Sequence, residues 1–269
     1  MDLSYPKVMG IINVTPDSFY TGSRYQTDNQ ITAAAIKMTV DGADMLDVGG
    51  YSSRPGAGET SQEEEMRRVL PAIKLIKKEL PDAIVSVDTF RSEIARAAVL
   101  DCGASMINDI SGGEGDDKMF AVVEKLSVPY IIMHMKGTPS TMQNNPVYED
   151  VVADLLRWFG KKIFTLHTMG VKDIIIDPGF GFGKTPDNNF DILSRLGDFR
   201  ITGLPLLAGV SRKSMIWKTL EISPGEALNG TTVLNTIALL KGADILRVHG
   251  VREAVEAVRL VERLLNHDF

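Results

Sequence analysis

Asn13, Asp88, Asn108, Asp109, His134, Asp177, Ser211, Arg212, Lys213 and His249 share one placement. Each stands at or near the end of a short apolar run, as Asp47 and Arg247 do. A single Asp or Asn after a strand commonly caps the next helix. Asp88, Asn108 and Asp177 taken together point instead to one polar cavity on which all three converge. The cations need a separate explanation. Arg212 and Lys213 stand where a helix should begin, and positive charge there opposes the helix dipole. Arg247 interrupts a buried strand, where an unpaired guanidinium is costly. A bound anion would resolve both anomalies, and an internal Arg–Asp salt bridge is the alternative.

The stretch "IIIDPGFGFGKT", residues 174–185, resembles a phosphate-binding loop without being one. Such a loop needs Gly-x-x-x-x-Gly-Lys-Ser/Thr, and Pro178 occupies the place of the first glycine. Proline brings no N–H to a phosphate. Gly179, Gly181 and Gly183 are also evenly spaced, unlike a dinucleotide fingerprint. His134 and His249 lack metal-ligand spacing and no Cys/His cluster exists, which argues against structural zinc. A magnesium ion held mainly by substrate phosphates needs few protein ligands and is compatible with these residues.

These side chains need elements that aim them at one place. Eight apolar runs recur, at 8–14, 45–49, 83–87, 105–110, 130–135, 173–176, 206–210 and 245–248. They are continuous rather than alternating, as strands buried on both faces of a parallel sheet are. Helical patterns lie between them at 61–80, 91–101, 116–126, 147–169 and 253–265, the first opening on a Ser61-x-x-Glu64 capping box. A short repeat recurs as GADMLD (42–47), GASMIN (103–108) and GADILR (242–247): a helix-ending glycine, a strand, and a polar residue deep in it. Eight such units with no linker predict an α/β fold, a single-domain (β/α)8 TIM barrel over residues 1–269, with functional residues at the carboxyl ends of the strands. Long Gly/Pro/Ser/Thr-rich loops at 15–30, 50–60 and 136–146 are expected to act as lids.

Composition sets the remaining limits. At 269 residues and 44% hydrophobic, the chain can bury a full core. A formal charge of −6 argues against nucleic acid and anionic membranes as partners. One cysteine, Cys102, forms no internal disulfide, and no apolar stretch has the ~20 residues of a membrane span. The expectation is a cytoplasmic protein.

At these residues the chain closely resembles dihydropteroate synthases. The matching pieces are MGIINVTPDSF (9–19), DVGGYSSRPGA (47–57), SVDT (86–89), IND (107–109), MHMKGTPSTMQ (133–143), DPGFGFGK (177–184), GVSRKS (209–214) and RVH (247–249), in family order along almost the whole chain. That resemblance implies joining of 6-hydroxymethyl-7,8-dihydropterin diphosphate to 4-aminobenzoate, releasing diphosphate and forming 7,8-dihydropteroate. It implies that Asp88, Asn108 and Asp177 pair with the pterin edge, that Lys213 donates to its carbonyl or ring nitrogen, and that Met133, Phe182 and Gly209 wall the slot. Asn13, Ser53, Arg54, Arg247 and His249 would hold diphosphate, with Mg²⁺ on Asn13. Ser53, Pro55, Phe182, Lys213 and Ser211 would take aminobenzoate. A homodimer through helices near the C-terminus is implied, to which 233–240 contributes unless that segment is core.

Two loops depart from the family pattern. Ser53 replaces a threonine, and Ser18-Phe19-Tyr20-Thr21-Gly22-Ser23 lacks the common Asp-Gly-Gly. Two other readings compete: a pterin-binding methyltransferase barrel, which has no diphosphate to bind, and a non-catalytic pterin-binding paralogue.

Overall fold

The eight apolar runs form eight strands: β1 (Lys7–Asn13), β2 (Met45–Gly49), β3 (Ile84–Asp88), β4 (Met106–Asp109), β5 (Tyr130–Met133), β6 (Ile174–Asp177), β7 (Leu207–Ala208) and β8 (Ile245–Val248). This computed structural model describes residues 2–15, 27–52, 60–138, 142 and 146–265. All the pairings are parallel, in the order β6-β5-β4-β3-β2-β1-β8-β7. A bridge between Ile176 and Leu206 brings the two outer strands together, so the sheet returns on itself as a barrel. That seam is thin because β7 is short: Pro205 has no N–H to give, although its carbonyl accepts from Ile176 N–H at 2.9 Å.

Helices cover the outside: α1 (Asp28–Val40), α2 (Gln62–Glu79), α3 (Ser92–Cys102), α4 (Met119–Leu126), α5 (Val151–Thr168), α6 (Pro186–Ser194), α7 (Ser214–Thr219), α8 (Leu228–Leu240) and α9 (Val251–Leu265). The five helices expected from the sequence are all present, with shifted ends. Four others carry weaker signals. For example, α7 is under two turns, and α8 buries Thr231 and Asn235 while exposing Val233 and Leu240, which blurs the polar/apolar period. The first turn of α1 lies inside the expected 15–30 loop, where Thr27 and Gln30 form a capping box. At α2 only half of the expected box exists. Ser61 accepts from Glu64 N–H at 3.2 Å, while the Glu64 carboxylate turns to Arg67 and Arg68.

Side chains along a strand alternate faces, and that rule sorts the barrel. Met9, Met45, Met106, Ile131, Ile175, Leu207 and Ile245 point inward and form a closed apolar floor, separate from the core between strands and helices. Two residues further along the same strands stand Asp47, Asn108, Met133, Asp177, Gly209 and Arg247. On β1 the residue at that level is Ile11, and two further still come Asn13 on β1 and His249 after β8. Asp88 reaches the same level on β3, paired in register with Gly49 and Asn108. Polar chemistry is therefore stacked on an apolar plug at the carboxyl end of the barrel.

Candidate active site

Asp47, buried, is the hub of this polar layer. Its Oδ2 accepts from Asn108 Nδ2 at 2.9 Å and from Arg247 Nε at 2.6 Å. The same guanidinium donates through its second arm to Asp88 Oδ2, also at 2.6 Å. The internal salt bridge is thus present, and it removes the sequence anomaly of a cation in a buried strand. Burial, only partly opposed by Arg247, raises the Asp88 carboxyl above the usual carboxylate range, and the nearby Asp47 charge adds to the rise. Arg247 is itself held charged by the two carboxylates, against the cost of its burial. The remaining oxygen of Asp47, Oδ1, is buried with no hydrogen-bond partner among the described residues. Sequence reasoning placed Asp47 in a strand but gave it no role. Its signal was the GADMLD repeat, which puts it five residues after a glycine, as it does Asn108 and Arg247.

Across the barrel, Asp177 and Lys213 form the second polar pair. Burial raises the Asp177 carboxyl, opposed first by the Lys213 charge and then by the Gly179 N–H that Asp177 Oδ1 accepts at 2.7 Å. Burial lowers Lys213 to about 8 even with Asp177 beside it. The Lys213 ammonium donates to the Phe180 carbonyl and lies 4.6 Å from the centre of the Phe182 ring. Gly209 lies between the pair. A Cβ on it would be 3.9 Å from both Asp177 Oδ2 and Lys213 Nζ, so the missing side chain keeps the space between them open. Met133, 2% exposed, stands beside Asp177 in the strand register.

Ser211 and His249 form a third unit. The Ser211 oxygen accepts from His249 N–H at 3.2 Å and lies 2.9 Å from His249 Nδ1. A hydroxyl that accepts from the backbone has its proton free for Nδ1, which leaves the imidazole proton on Nε2. Burial, with Arg247, Arg212 and Lys213 nearby, pushes His249 down to about 3, so it is a neutral donor at physiological pH.

The same alternation that assembles these residues sends others away. Asp109 faces outward and accepts from Tyr130 Oη at 2.6 Å, Ser111 and Gly113, which makes it a buried support for the turn after β4. Arg212, in a left-handed turn with φ 53°, donates to the carbonyls of Pro224 and Gly225 at 3.1 and 2.5 Å. Its position is explained by that loop without an anion. His134 also turns outward, its Nδ1 3.1 Å from Lys184 Nζ, and burial pushes it down to about 2. Ser53, Arg54 and Pro55 lie outside the described residues, as do most of the 15–30 loop and parts of the other two long loops.

The glycine loop 177–184 now has its physical account. Its N–H groups at Gly179 and Gly181 are taken by Asp177 and Asn189, both at 2.7 Å. Its carbonyls at Gly179 and Phe182 converge on the loop's own Lys184 at 2.9 and 3.0 Å. A phosphate loop points N–H groups at an anion; this one points carbonyls at a cation.

Comparison with known proteins fits this geometry. The sequence matches the family described as "Pterin binding enzyme" over residues 9–249. It is 43% identical over 268 residues to the dihydropteroate synthase of Escherichia coli K12, covering 99% of this chain and 94% of that one. The chain belongs to the dihydropteroate synthase family. Its fold is that of the Yersinia pestis dihydropteroate synthase in its sulfonamide drug complex, with a TM-score of 0.95, 38% identity, and coverage of 99% and 97%. The Xanthomonas albilineans dihydropteroate synthase in complex with 7,8-dihydropteroate matches at TM-score 0.86 and 34% identity, covering 100% of this chain and 96% of that one. Identity at this level over nearly full length favours the synthase reading over the methyltransferase barrel.

Proposed function

We propose that this chain condenses 6-hydroxymethyl-7,8-dihydropterin diphosphate with 4-aminobenzoate to give 7,8-dihydropteroate and diphosphate, in the cytoplasm and as a homodimer. The observation that carries the reading is the pair of facing polar groups, Asp88–Asn108 and Asp177–Lys213, above an apolar plug. A flat heterocycle edged with N–H donors and a carbonyl needs that set: carboxylate acceptors for the N–H groups and an ammonium for the carbonyl or ring nitrogen. Gly209 leaves room for a ring, and Met133, beside Asp177, and Phe182, beside Lys213, would wall it. A Xanthomonas albilineans relative is known with 7,8-dihydropteroate, which supports the assignment.

In the reaction, the bond from the pterin methylene to the diphosphate oxygen breaks, and the electron pair leaves with diphosphate. The aniline nitrogen of 4-aminobenzoate forms the new C–N bond and releases a proton. The carbocation left on the methylene is conjugated with the pterin, so the protein's main electrostatic task is to stabilise the departing charge. Arg247 and the Nε2–H of His249 lie at the mouth of the barrel and suit that role. Ser211 acts through His249 and, with Ser53, Pro55, Phe182 and Lys213, would line the aminobenzoate side.

Among the described residues no group of three or more His, Cys, Asp or Glu could hold a metal. The inward carboxamide of Asn13 offers one hard oxygen, which fits a Mg²⁺ carried mainly by diphosphate. Bound there, the ion would supply charge neutralisation to the leaving group, a task the family resemblance also assigns to Ser53 and Arg54. The dimer would use α8 and α9, which pack together and leave Val233, Leu240, Leu260, Leu264 and Leu265 between 49% and 73% exposed. The 233–240 segment is divided: Leu234, Asn235, Ala238 and Leu239 are buried, Ile237 packs against the core, and Val233 and Leu240 are exposed.

Purified protein incubated with both substrates and Mg²⁺ should form 7,8-dihydropteroate. Folded protein that binds the pterin without forming product would make it the non-catalytic paralogue. Equal affinity for the pterin with and without its diphosphate would remove the synthase reading.

A further inference from the structure

Lys184 is 3% exposed, and among the described residues no carboxylate pairs with its ammonium. Its contacts are instead the carbonyls of Gly179, Phe182 and His134, at 2.9, 3.0 and 3.1 Å, and the neutral His134 Nδ1 at 3.1 Å. Four acceptors around one ammonium leave no N–H unsatisfied, whereas a neutral amine would leave at least one of the carbonyls without a proton. Burial pushes the lysine well below its ordinary range, and the Asp177 charge opposes that. Holding a cation in such a place is expensive, and an apolar side chain would serve packing alone at lower cost.

The loop that encloses this cation also carries the site. Gly179 and Phe182 turn their carbonyls to Lys184, while Phe180, between them, turns its carbonyl the opposite way, to the Lys213 ammonium. At Gly181, φ is 81° and a Cβ would come within 3.3 Å of the Lys213 stem, so Lys213 lies directly across the loop. The Phe182 ring stacks under the same ammonium, and Gly183 is tied by Tyr148 Oη at 2.8 Å. One short loop therefore seats two ammonium groups from opposite sides.

We propose that Lys184 is a positioning residue for the transfer reaction: its ammonium gathers the Gly179, Phe182 and His134 carbonyls and thereby fixes Phe182 and Lys213 at the pterin slot. It touches no reacting atom and acts through the loop. Misplacing a substrate-binding group by a fraction of an ångström lowers affinity and rate without unfolding the protein. The inference rests on the synthase reading above, and the test separates the two.

The experiment compares wild type, Lys184→Met and Lys184→Ala by calorimetry with the pterin diphosphate, by kcat and KM for both substrates, and by thermal unfolding. Both variants should stay folded at the assay temperature and lose roughly tenfold to a hundredfold in pterin affinity and kcat/KM. n-Propylammonium chloride should restore several-fold of that loss to Lys184→Ala, whose missing atoms it replaces. It should not help Lys184→Met, and n-propanol should help neither. Wild-type constants in the folded variants, with only the unfolding temperature changed, overturn the proposal. So does a loss that propylammonium fails to restore, because the defect is then packing rather than the caged charge. If neither variant folds, Lys184→Gln, which keeps two donors, is judged by binding and kcat/KM against the same limits. Wild-type protein without turnover removes the synthase reading itself, whereas wild-type turnover with indifferent variants removes only the role of Lys184.

Discussion

Replacing Arg247 should damage the fold as well as the reaction, and the size of the damage follows from its partners. Arg247→Met removes two bonds of 2.6 Å at once, one to Asp47, whose side chain is 0% exposed, and one to Asp88, 19% exposed. Among the described residues Asp47 would keep only the Asn108 amide, because its Oδ1 has no partner there. Two neighbouring carboxylates would then face each other without a cation. Breaking a buried ion pair by removing one partner costs about 3–5 kcal/mol. At about 2–4 °C per kcal/mol for a chain of this size, the unfolding temperature should fall by roughly 6–20 °C. Asp47→Asn/Arg247→Met removes the orphaned charge and should recover at least half of the loss, measured by calorimetric unfolding of all four members of the cycle. A fall of less than ~3 °C in Arg247→Met, or no recovery in the double variant, would refute the claim that Arg247 is first a counter-ion of the barrel. Its second role is read as a ratio. Affinity for the diphosphorylated pterin should drop about 1.5–3 kcal/mol more than affinity for the bare hydroxymethyl pterin, since only the former loses a charge-assisted contact.

Three other outcomes test separate parts of the site. Asp177→Asn replaces an acceptor with a partial donor in a dry pocket and should cost at least about a hundredfold in pterin affinity by calorimetry; unchanged binding would remove Asp177 from the slot. His134, pushed down to about 2 by burial and by Lys184, stays neutral in the fold while its unfolded counterpart takes up a proton near pH 6.5. The unfolded chain then binds more protons below pH 6.5, so His134 makes stability fall with falling pH, at about 1.4 kcal/mol per pH unit. Asp88, Asp109 and Asp177, with raised carboxyl values, act in the opposite sense, so the readout is the difference between wild type and His134→Gln from pH 7 to 5. Parallel curves would sink the argument. If α8 and α9 meet a second copy, Leu260→Glu should turn a sedimenting dimer into a monomer with an intact fold; a dimer that persists places the interface elsewhere.

The fold was legible because parallel strands covered on both faces write themselves as uninterrupted apolar runs, and eight of them were present. The weak points were those where local signal is short. The β7 ladder spans only two residues, and α7 has no room for a helical period. The candidate site was partly legible, since a polar side chain ending an apolar strand is conspicuous. What the sequence did not convey was direction. Asp109 and His134 end their strands as plainly as Asn108 and Asp177 do, yet a shift of one residue sends them to the helix side.

Direction was nevertheless encoded, in the repeat. Gly42, Gly103 and Gly242 all adopt positive φ, between 83° and 100°, where each helix hands over to its strand. Starting each strand from the same turn gives each the same phase, so the fifth residue after every glycine points into the barrel. Those fifth residues are Asp47, Asn108 and Arg247, and they are bonded to one another across the interior at 2.9 and 2.6 Å. A repeated backbone device thus brought an acid, an amide and a base, far apart in the chain, to one contact. Lys184 was hidden for the opposite reason. Its neighbours in sequence suggest an anion, and only the three-dimensional path of the glycines shows that carbonyls, not N–H groups, face it. Composition can reveal that a loop is built to approach something closely; which end of the peptide dipole it presents is decided by φ at Gly179, Gly181 and Gly183, all positive here.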